Sequence, residues 1–480
     1  MQQTNESTEY SIDTDVSVGN LKFLPEFLKR NYLLQQNKYR HFRNITATTE
    51  NNEPVLSYNV LEPTTQQYID VLIKATSPIK VTMSNTSEIP KAYLNELYED
   101  LFLLVQAFED EIRKTTLFLA FMPGEKIVPE KENSGIIGKI FTESMLPLYI
   151  ILTSVTFALF WVFGMYGPLI FVAIFFAFSM ISGKIVARSG HWVITEKQQE
   201  IIVLQYNFSP EKFEEFRHKY AKNVAEIRKK IYDSSLANGK LPDCDTSSSI
   251  FSEYGVDCRS KNLSVKRINV YQLVKRAADK FGLSLPKIVI TNNIIPNAAA
   301  AGPSARLGTM MITTGILTKL EDDELFSVIG HEMSHLKAHD PLVMSSLSSF
   351  EFMVRFYVFL PILIDYGFIF FYVYFFVAIG LIFFFGKFLE GRADLDSAKV
   401  LGQPKVLAEA LRKIGFRRLF PLNQREPAFR GYRRSEWLRF DPHPPTYHRI
   451  AQLENIKDPE KIKHTFFKTV KDNIKTFLSP

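Results

Sequence analysis

Cysteine is scarce in this 480-residue chain: Cys244 and Cys258 are the only two. Their spacing matches no cysteine-ligated metal site, so both are expected to be free thiols; a small loop disulfide, of the kind some thermophile proteins form, is the alternative. The first residues, Met1 to Asp15, are polar and acidic and read as no secretory signal. A net charge of +6 and a pI near 8.9 do not require nucleic acid as a partner. The most telling lack is local. From Ser144 to Gly183 there are forty residues without a charge, about twice the ~20 that one membrane-spanning helix needs. That predicts a helical hairpin, turning near Gly164–Pro168. A second apolar region, Pro341 to Gly386, is uncharged from Tyr366 onward, but its first half holds Glu351, Arg355 and Pro361, with Asp365 at the expected turn. Hydropathy alone allows one span or two there.

What is present begins with His331-Glu332-Met333-Ser334-His335, an HExxH. Histidines at i and i+4 share one helical face, so both imidazoles reach a single zinc. The intervening Glu332 then sits where it can take a proton from an activated water. Glu321, Asp322, Asp323 and Glu324 crowd the start of this helix, where carboxylates suit the positive end of its dipole. Pro341 is expected to stop it after Asp340. A metzincin would need a histidine ten positions after His331; that position is Pro341, which excludes the subclass.

A catalytic zinc site needs a third protein ligand. Glu390 and Asp394 are i and i+4, so Glu390 could bind metal while Asp394 holds the outer N–H of a ligand histidine. Spacing alone fits an ordinary solvated charge pair as well. If Glu390 does join His331 and His335, an even number of crossings must separate them, because opposite membrane faces are about 30 Å apart. Four spans in two hairpins follow, with Glu351 and Arg355 paired inside the third. Lys139, Lys184, Arg188, Lys387 and Arg392 flank the spans on one side and the outer turns carry no Lys or Arg, which puts the soluble parts in the cytoplasm.

Four motifs in order now carry a resemblance. Pro296-Asn297-Ala298-Ala299-Ala300-Ala301-Gly302, the HExxH, Glu390-Gly391-Arg392-Ala393-Asp394 and His443-Pro444-Pro445-Thr446 with Arg449 resemble the HtpX-type membrane zinc metallopeptidases, relatives of the CAAX prenyl proteases. The match covers roughly Val265 to Ile456. It implies Zn²⁺ held by His331, His335 and Glu390, with Glu332 catalytic. His443 and Arg449 are candidate donors to the oxyanion, His443 being also a candidate latent zinc ligand, and either residue could instead be structural. Two positions depart from the family pattern: Lys387 stands where arginine is common, and Gly386 where serine precedes it.

The expected architecture is a mainly α membrane protein with four transmembrane helices in two hairpins, a zincin-like α+β protease domain and an extra N-terminal α+β domain. The boundaries are 1–143 for the N-terminal domain, 144–187 and 341–387 for the hairpins, and 188–340 and 388–480 for the protease domain. Strands are expected at Val55–Val60, Tyr68–Lys74, Lys80–Ser84, Lys287–Thr291 and Thr309–Thr313, and helices from Ala92, from Ser209 and over Val270–Phe281. Asn297, Ala299 and Gly302 are assigned to the approach to a substrate-binding strand edge; a tight small-residue loop under the helix is the other reading. Arg417, Arg418, Arg425, Arg430, Arg433, Arg434 and Arg439 either meet anionic headgroups or form a solvated basic surface. The function expected is a zinc endopeptidase on the cytoplasmic side of the cell membrane, cleaving cytoplasmic regions of membrane or misfolded proteins. Its partners are protein or peptide substrates and the lipid bilayer, with homo-oligomerisation open. The alternatives are a CAAX-type prenyl-protein endopeptidase and a non-catalytic membrane receptor or scaffold on the same fold.

Overall fold

Buried apolar side chains at every second position build the first sheet: Tyr58 and Val60, then Ile69, Val71 and Ile73, then Ile79, Val81 and Met83. They belong to β3 (Glu53–Leu61), β4 (Tyr68–Lys74) and β5 (Ile79–Thr86), at the places the alternation predicts. Two strands the sequence did not reveal, β1 (Asn5–Ile12) and β2 (Phe42–Glu50), complete an antiparallel sheet of order β1-β5-β4-β3-β2. Helix Lys91–Arg113 buries Leu94, Leu97, Leu101, Leu104 and Phe108, the expected stripe. Its fully buried Asp100 accepts from Arg40 at 2.7 Å and from the Tyr32 hydroxyl at 2.9 Å.

The computed structural model describes residues 5–35, 40–86, 89–124, 146–359, 362, 368–423 and 434–478. It divides into two units: residues 1–123, 202–267 and 412–430 form one, and residues 124–201, 268–411 and 431–480 the other. Residues 202–267, assigned from sequence to the protease domain, therefore cluster with the N-terminal region. There β6 (Thr116–Phe121), β8 (Ile201–Asn207) and β9 (Leu263–Ile268) form a sheet of order β6-β8-β9. The single helix expected from Ser209 is instead two, Pro210–Tyr220 and Val224–Ser234, separated by a 3-10 turn at Ala221–Asn223. Both still turn Phe216, Ile227 and Ile231 into one core with Tyr206, Phe208 and Phe251.

The free-thiol expectation is corrected here: Cys244 and Cys258 form a disulfide, with Cα atoms 5.6 Å apart. Helix Cys244–Glu253 is followed by a turn through Gly255 at φ 69°, and the Tyr206 hydroxyl donates to Asp257 O at 2.8 Å, which brings Cys258 back to the helix start.

The second unit holds a sheet of order β11-β12-β10-β7, from β7 (Trp192–Ile194), β10 (Lys287–Thr291), β11 (Ala298–Ala301) and β12 (Thr309–Thr313). Strands β10 and β12 are parallel; β11 runs antiparallel to β12 as an edge. Helix Val270–Phe281 buries its predicted stripe and stops at Gly282. Three stretches among the described residues are long and apolar enough to cross a membrane: Ser154–Ser189, Asp340–Phe359 and Val373–Leu401. The first takes in most of helix Leu146–Phe163 and all of helix Gly167–Ser189, joined by a 3-10 turn at Gly164–Tyr166. Glu351 and Arg355 are paired at 3.2 Å, and the guanidinium lies 5.1 Å from the centre of the Phe375 ring. The expected turn at Asp365, with Lys139, Arg425, Arg430 and Arg433, lies outside the described residues.

The HExxH helix spans Asp322–Lys337 and ends earlier than predicted. His339 adopts a left-handed φ of 59°, and Asp340–Val354 then begins a new helix with Pro341 in its first turn. Proline starts the next helix rather than stopping the last one, as its missing N–H and fixed φ favour.

Candidate metal centre

Three turns of ordinary helix chemistry set the first two groups. Glu321 caps the Asp322–Lys337 helix in a reciprocal box with Glu324. Gly330 lets this helix press against the long helix Phe368–Leu401. A Cβ there would fall 2.4 Å from Leu401 Cδ1 and 2.7 Å from Ser397 Oγ, and that hydroxyl donates to Ser327 O at 3.0 Å. The close approach carries Glu390 to the histidines.

His331 Nε2 and His335 Nε2 lie 3.2 Å apart. Glu390 Oε2 is 3.3 Å from the first and Oε1 is 3.5 Å from the second. One ligand atom from each residue fits within 4.8 Å of the others, the arrangement of a group that could hold a metal ion. The fit can be checked by geometry. Two donors at ~2.0–2.1 Å in a tetrahedral shell are about 3.3–3.4 Å apart, close to the separations found. Glu390 Oε2 is buried without a hydrogen-bond partner, as an oxygen reserved for a cation would be.

Each imidazole has a carboxylate behind it. Asp394 Oδ1 is 2.9 Å from His331 Nδ1, Asp340 Oδ2 is 2.7 Å from His335 Nδ1, and Asp441 Oδ1 is 2.8 Å from His443 Nδ1. At His335 and His443 these hydrogen bonds place Nδ1–H toward the acid and leave Nε2 facing inward; at His331 the contact is an ion pair without hydrogen-bond geometry. His443 Nε2 points at Glu390 Oε2 from 3.6 Å. Two arginines brace the acids in turn. Arg449 is bidentate on Asp394, with Nε at 2.7 Å and Nη2 at 2.8 Å, and Arg392 Nη2 is 2.5 Å from Asp340 Oδ2.

The family model for peptidase family M48 matches residues 265–457. A protease HtpX homolog of Methanothermobacter thermautotrophicus is 32% identical over 173 residues, 33% of this chain and 63% of that protein. One from Thermodesulfovibrio yellowstonii is 43% identical over 74 residues, 15% of this chain and 26% of that protein. Another, from Pyrococcus abyssi, is 30% identical over 218 residues, 39% of this chain and 73% of that protein. The chain belongs to peptidase family M48. Its first 264 residues lie outside the M48 match, as does the first sheet. The chain spans less than two thirds of the length of the first two of these M48 relatives.

Within this M48 site, burial opposes a charge on His331, but Asp394 and Glu390 together raise its pKa to about 10. Arg449 is likewise held protonated above its usual range: burial works against it, and Asp394, Glu390 and Glu332 outweigh that. A metal ion must therefore displace a proton from His331. Apparent zinc affinity is expected to fall about tenfold per unit of pH decrease between pH 8 and 6, measured by competition with a chromogenic chelator. A pH-independent affinity would contradict a proton held on His331 by Asp394 and Glu390.

The structure brings His331, His335, Glu390, Asp394, His443 and Arg449 together. Glu332 Oε2 accepts from Ala300 N at 2.8 Å, which ties the HExxH helix to the edge strand. Because Ala300 turns its amide outward, strand alternation turns the Ala299 amide and carbonyl toward β12. The groups on the unpaired edge are those of Ala298 and Ala300. Asn297 exchanges backbone and side-chain bonds with Thr313, and Gly302, at φ +118°, would place a Cβ 2.7 Å from Gly308 Cα. Both shape the turns around the edge. Lys387 is fully buried and donates to Arg439 O and to Asp441 O, clamping the segment that carries His443. Sequence reading missed Asp340 and the role of Arg392. Asp340 lies five residues after His335, beyond the left-handed His339, where helical periodicity no longer applies.

Proposed function

We propose that this chain is a membrane-bound, zinc-dependent endopeptidase whose ligands are His331, His335 and Glu390. The convergence of two imidazoles and the buried Glu390 carboxylate at metal-ligand spacing, with Glu332 between the histidines in sequence, carries the reading. Bound zinc would supply a Lewis acid that makes water acidic near neutral pH and polarises the peptide carbonyl. Glu332 accepts the proton of the attacking water and passes it to the amine nitrogen as the C–N bond breaks. His443, held at Nδ1 by Asp441, would donate from Nε2, as the doubly protonated ring, to the oxygen that gains charge as water adds to the carbonyl. Arg449, with two N–H groups engaged by Asp394, is a positioning residue in this scheme. The substrate lies extended along β11 and bonds the outward groups of Ala298 and the carbonyl of Ala300, whose amide is held by Glu332.

Four spans in two hairpins return Glu390 to the membrane face of His335, and flanking lysines and arginines put that face in the cytoplasm. The substrates are then cytoplasmic segments of membrane or misfolded proteins, consistent with a quality-control role. Two exposed positions test the topology. Cysteines placed singly at Lys337 and Lys405, in a Cys244→Ser/Cys258→Ser background, should be labelled from the same side of sealed vesicles; labelling from opposite sides rules out four spans. For the activity, the detergent-solubilised full chain should cleave casein, lose cleavage on chelation and regain it with zinc. Cleavage that persists in the chelated, zinc-free protein removes the proposal.

A further inference from the structure

The first unit contains a cavity of about 340 Å³, walled by the Gly19–Phe23 segment, residues Tyr206–Ser209, one face of helix Pro210–Tyr220 and the loop from Tyr254 to Asn262. The helix contributes along its length, from Lys212 to Tyr220, and the cavity lies outside the M48 match. Its charge is lopsided. Lys22, Lys212, Lys219, Arg259 and Lys261 line it against only Glu215 and Asp257. Both acids are taken: Lys219 Nζ is 2.6 Å from Glu215 and Arg259 Nε is 3.1 Å from Asp257. Lys22, Lys212 and Lys261 make no ion pair among the described residues, leaving a surplus of three positive charges.

Two further features point the same way. Asn20, a lining residue only 5% exposed, has a buried amide nitrogen without a hydrogen-bond partner. A donor buried in that state calls for an acceptor. Helix Pro210–Tyr220 lines the cavity along its length, and because its N-cap Ser209 makes no side-chain cap, the backbone amide of the lining residue Lys212 has no helical partner. Phe23 and Tyr220 supply apolar surface beside these groups.

We propose that this cavity binds a small phosphate-bearing ligand through Lys22, Lys212, Lys261 and Asn20. A monocarboxylate would leave two lysines uncompensated, whereas a di- or polyphosphate matches the surplus and offers oxygens to ammonium, amide and backbone donors together. The same chemistry is presented by a soluble phosphorylated compound and by a phosphomonoester lipid headgroup.

The full chain in detergent is titrated calorimetrically with inorganic pyrophosphate, and in a second arm is floated with vesicles containing phosphatidic acid or phosphatidylcholine alone. Lys212 and Lys261 are exposed, so Lys212→Ala/Lys261→Ala should fold normally. Lys229→Ala/Lys240→Ala removes the same charge from exposed positions that do not line the cavity. Saturable binding by the parent and the control, weakened at least about tenfold in the cavity variant, is the expected result. Pyrophosphate binding identifies a soluble source, and cavity-dependent flotation with phosphatidic acid alone identifies a lipid one. No binding in either arm, or equal loss in both double variants, overturns the proposal.

Discussion

A Glu332→Gln variant is expected to load zinc like the parent and to cleave casein about 10²- to 10⁴-fold more slowly. Glutamine fills the same space and keeps an oxygen for the Ala300 amide, so the 2.8 Å tie between the HExxH helix and the edge strand survives. What disappears is the capacity to hold a proton between the attacking water and the leaving amine. Metal content and turnover should separate cleanly, which distinguishes loss of a base from collapse of the site. Wild-type cleavage by this variant would assign the proton transfer to another group.

Replacing Arg449 should have the largest effect on stability. Asp394 is fully buried, and Arg449 supplies its bidentate cation, so Arg449→Met strands a carboxylate in the interior. Removing one partner of a buried pair costs about 3–5 kcal/mol. The loss should appear as a lowered midpoint of thermal unfolding in detergent. Zinc affinity should fall by about 10- to 100-fold as well, because Asp394 no longer holds His331 in place. The double variant Arg449→Met/Asp394→Asn removes both charges and is expected to recover much of the unfolding midpoint without recovering zinc affinity. Should Arg449→Met unfold like the parent, the Arg449–Asp394–His331 chain would have no structural weight.

Much of this site could be read from residue order because its parts obey helical periods. His331 with His335, and Glu390 with Asp394, are each i, i+4, and the four groups meet because two helices pack at Gly330. The strands Tyr68–Lys74, Lys287–Thr291 and Thr309–Thr313 were equally plain, as short β-branched runs between turn residues. The hidden parts break periodicity or depend on distant partners. Asp340 reaches His335 only after the left-handed turn at His339. Strand β1 pairs with β5 across some seventy residues, a separation no local pattern encodes. The Cys244–Cys258 bond depends on where Tyr206 holds Asp257, and Arg40 finds Asp100 sixty residues away. Pro341 carried a real signal of the wrong sign, since proline both ends one helix and begins another.

Zinc K-edge absorption on the metal-loaded chain, paired with zinc content, tests the shared ligation most directly. The expected result is one zinc per chain with two imidazole nitrogens and a carboxylate oxygen at ~2.0–2.2 Å, and a Glu390→Ala variant with changed coordination and much weaker zinc retention. An unchanged spectrum and unchanged affinity in Glu390→Ala would contradict a metal centre built from His331, His335 and Glu390.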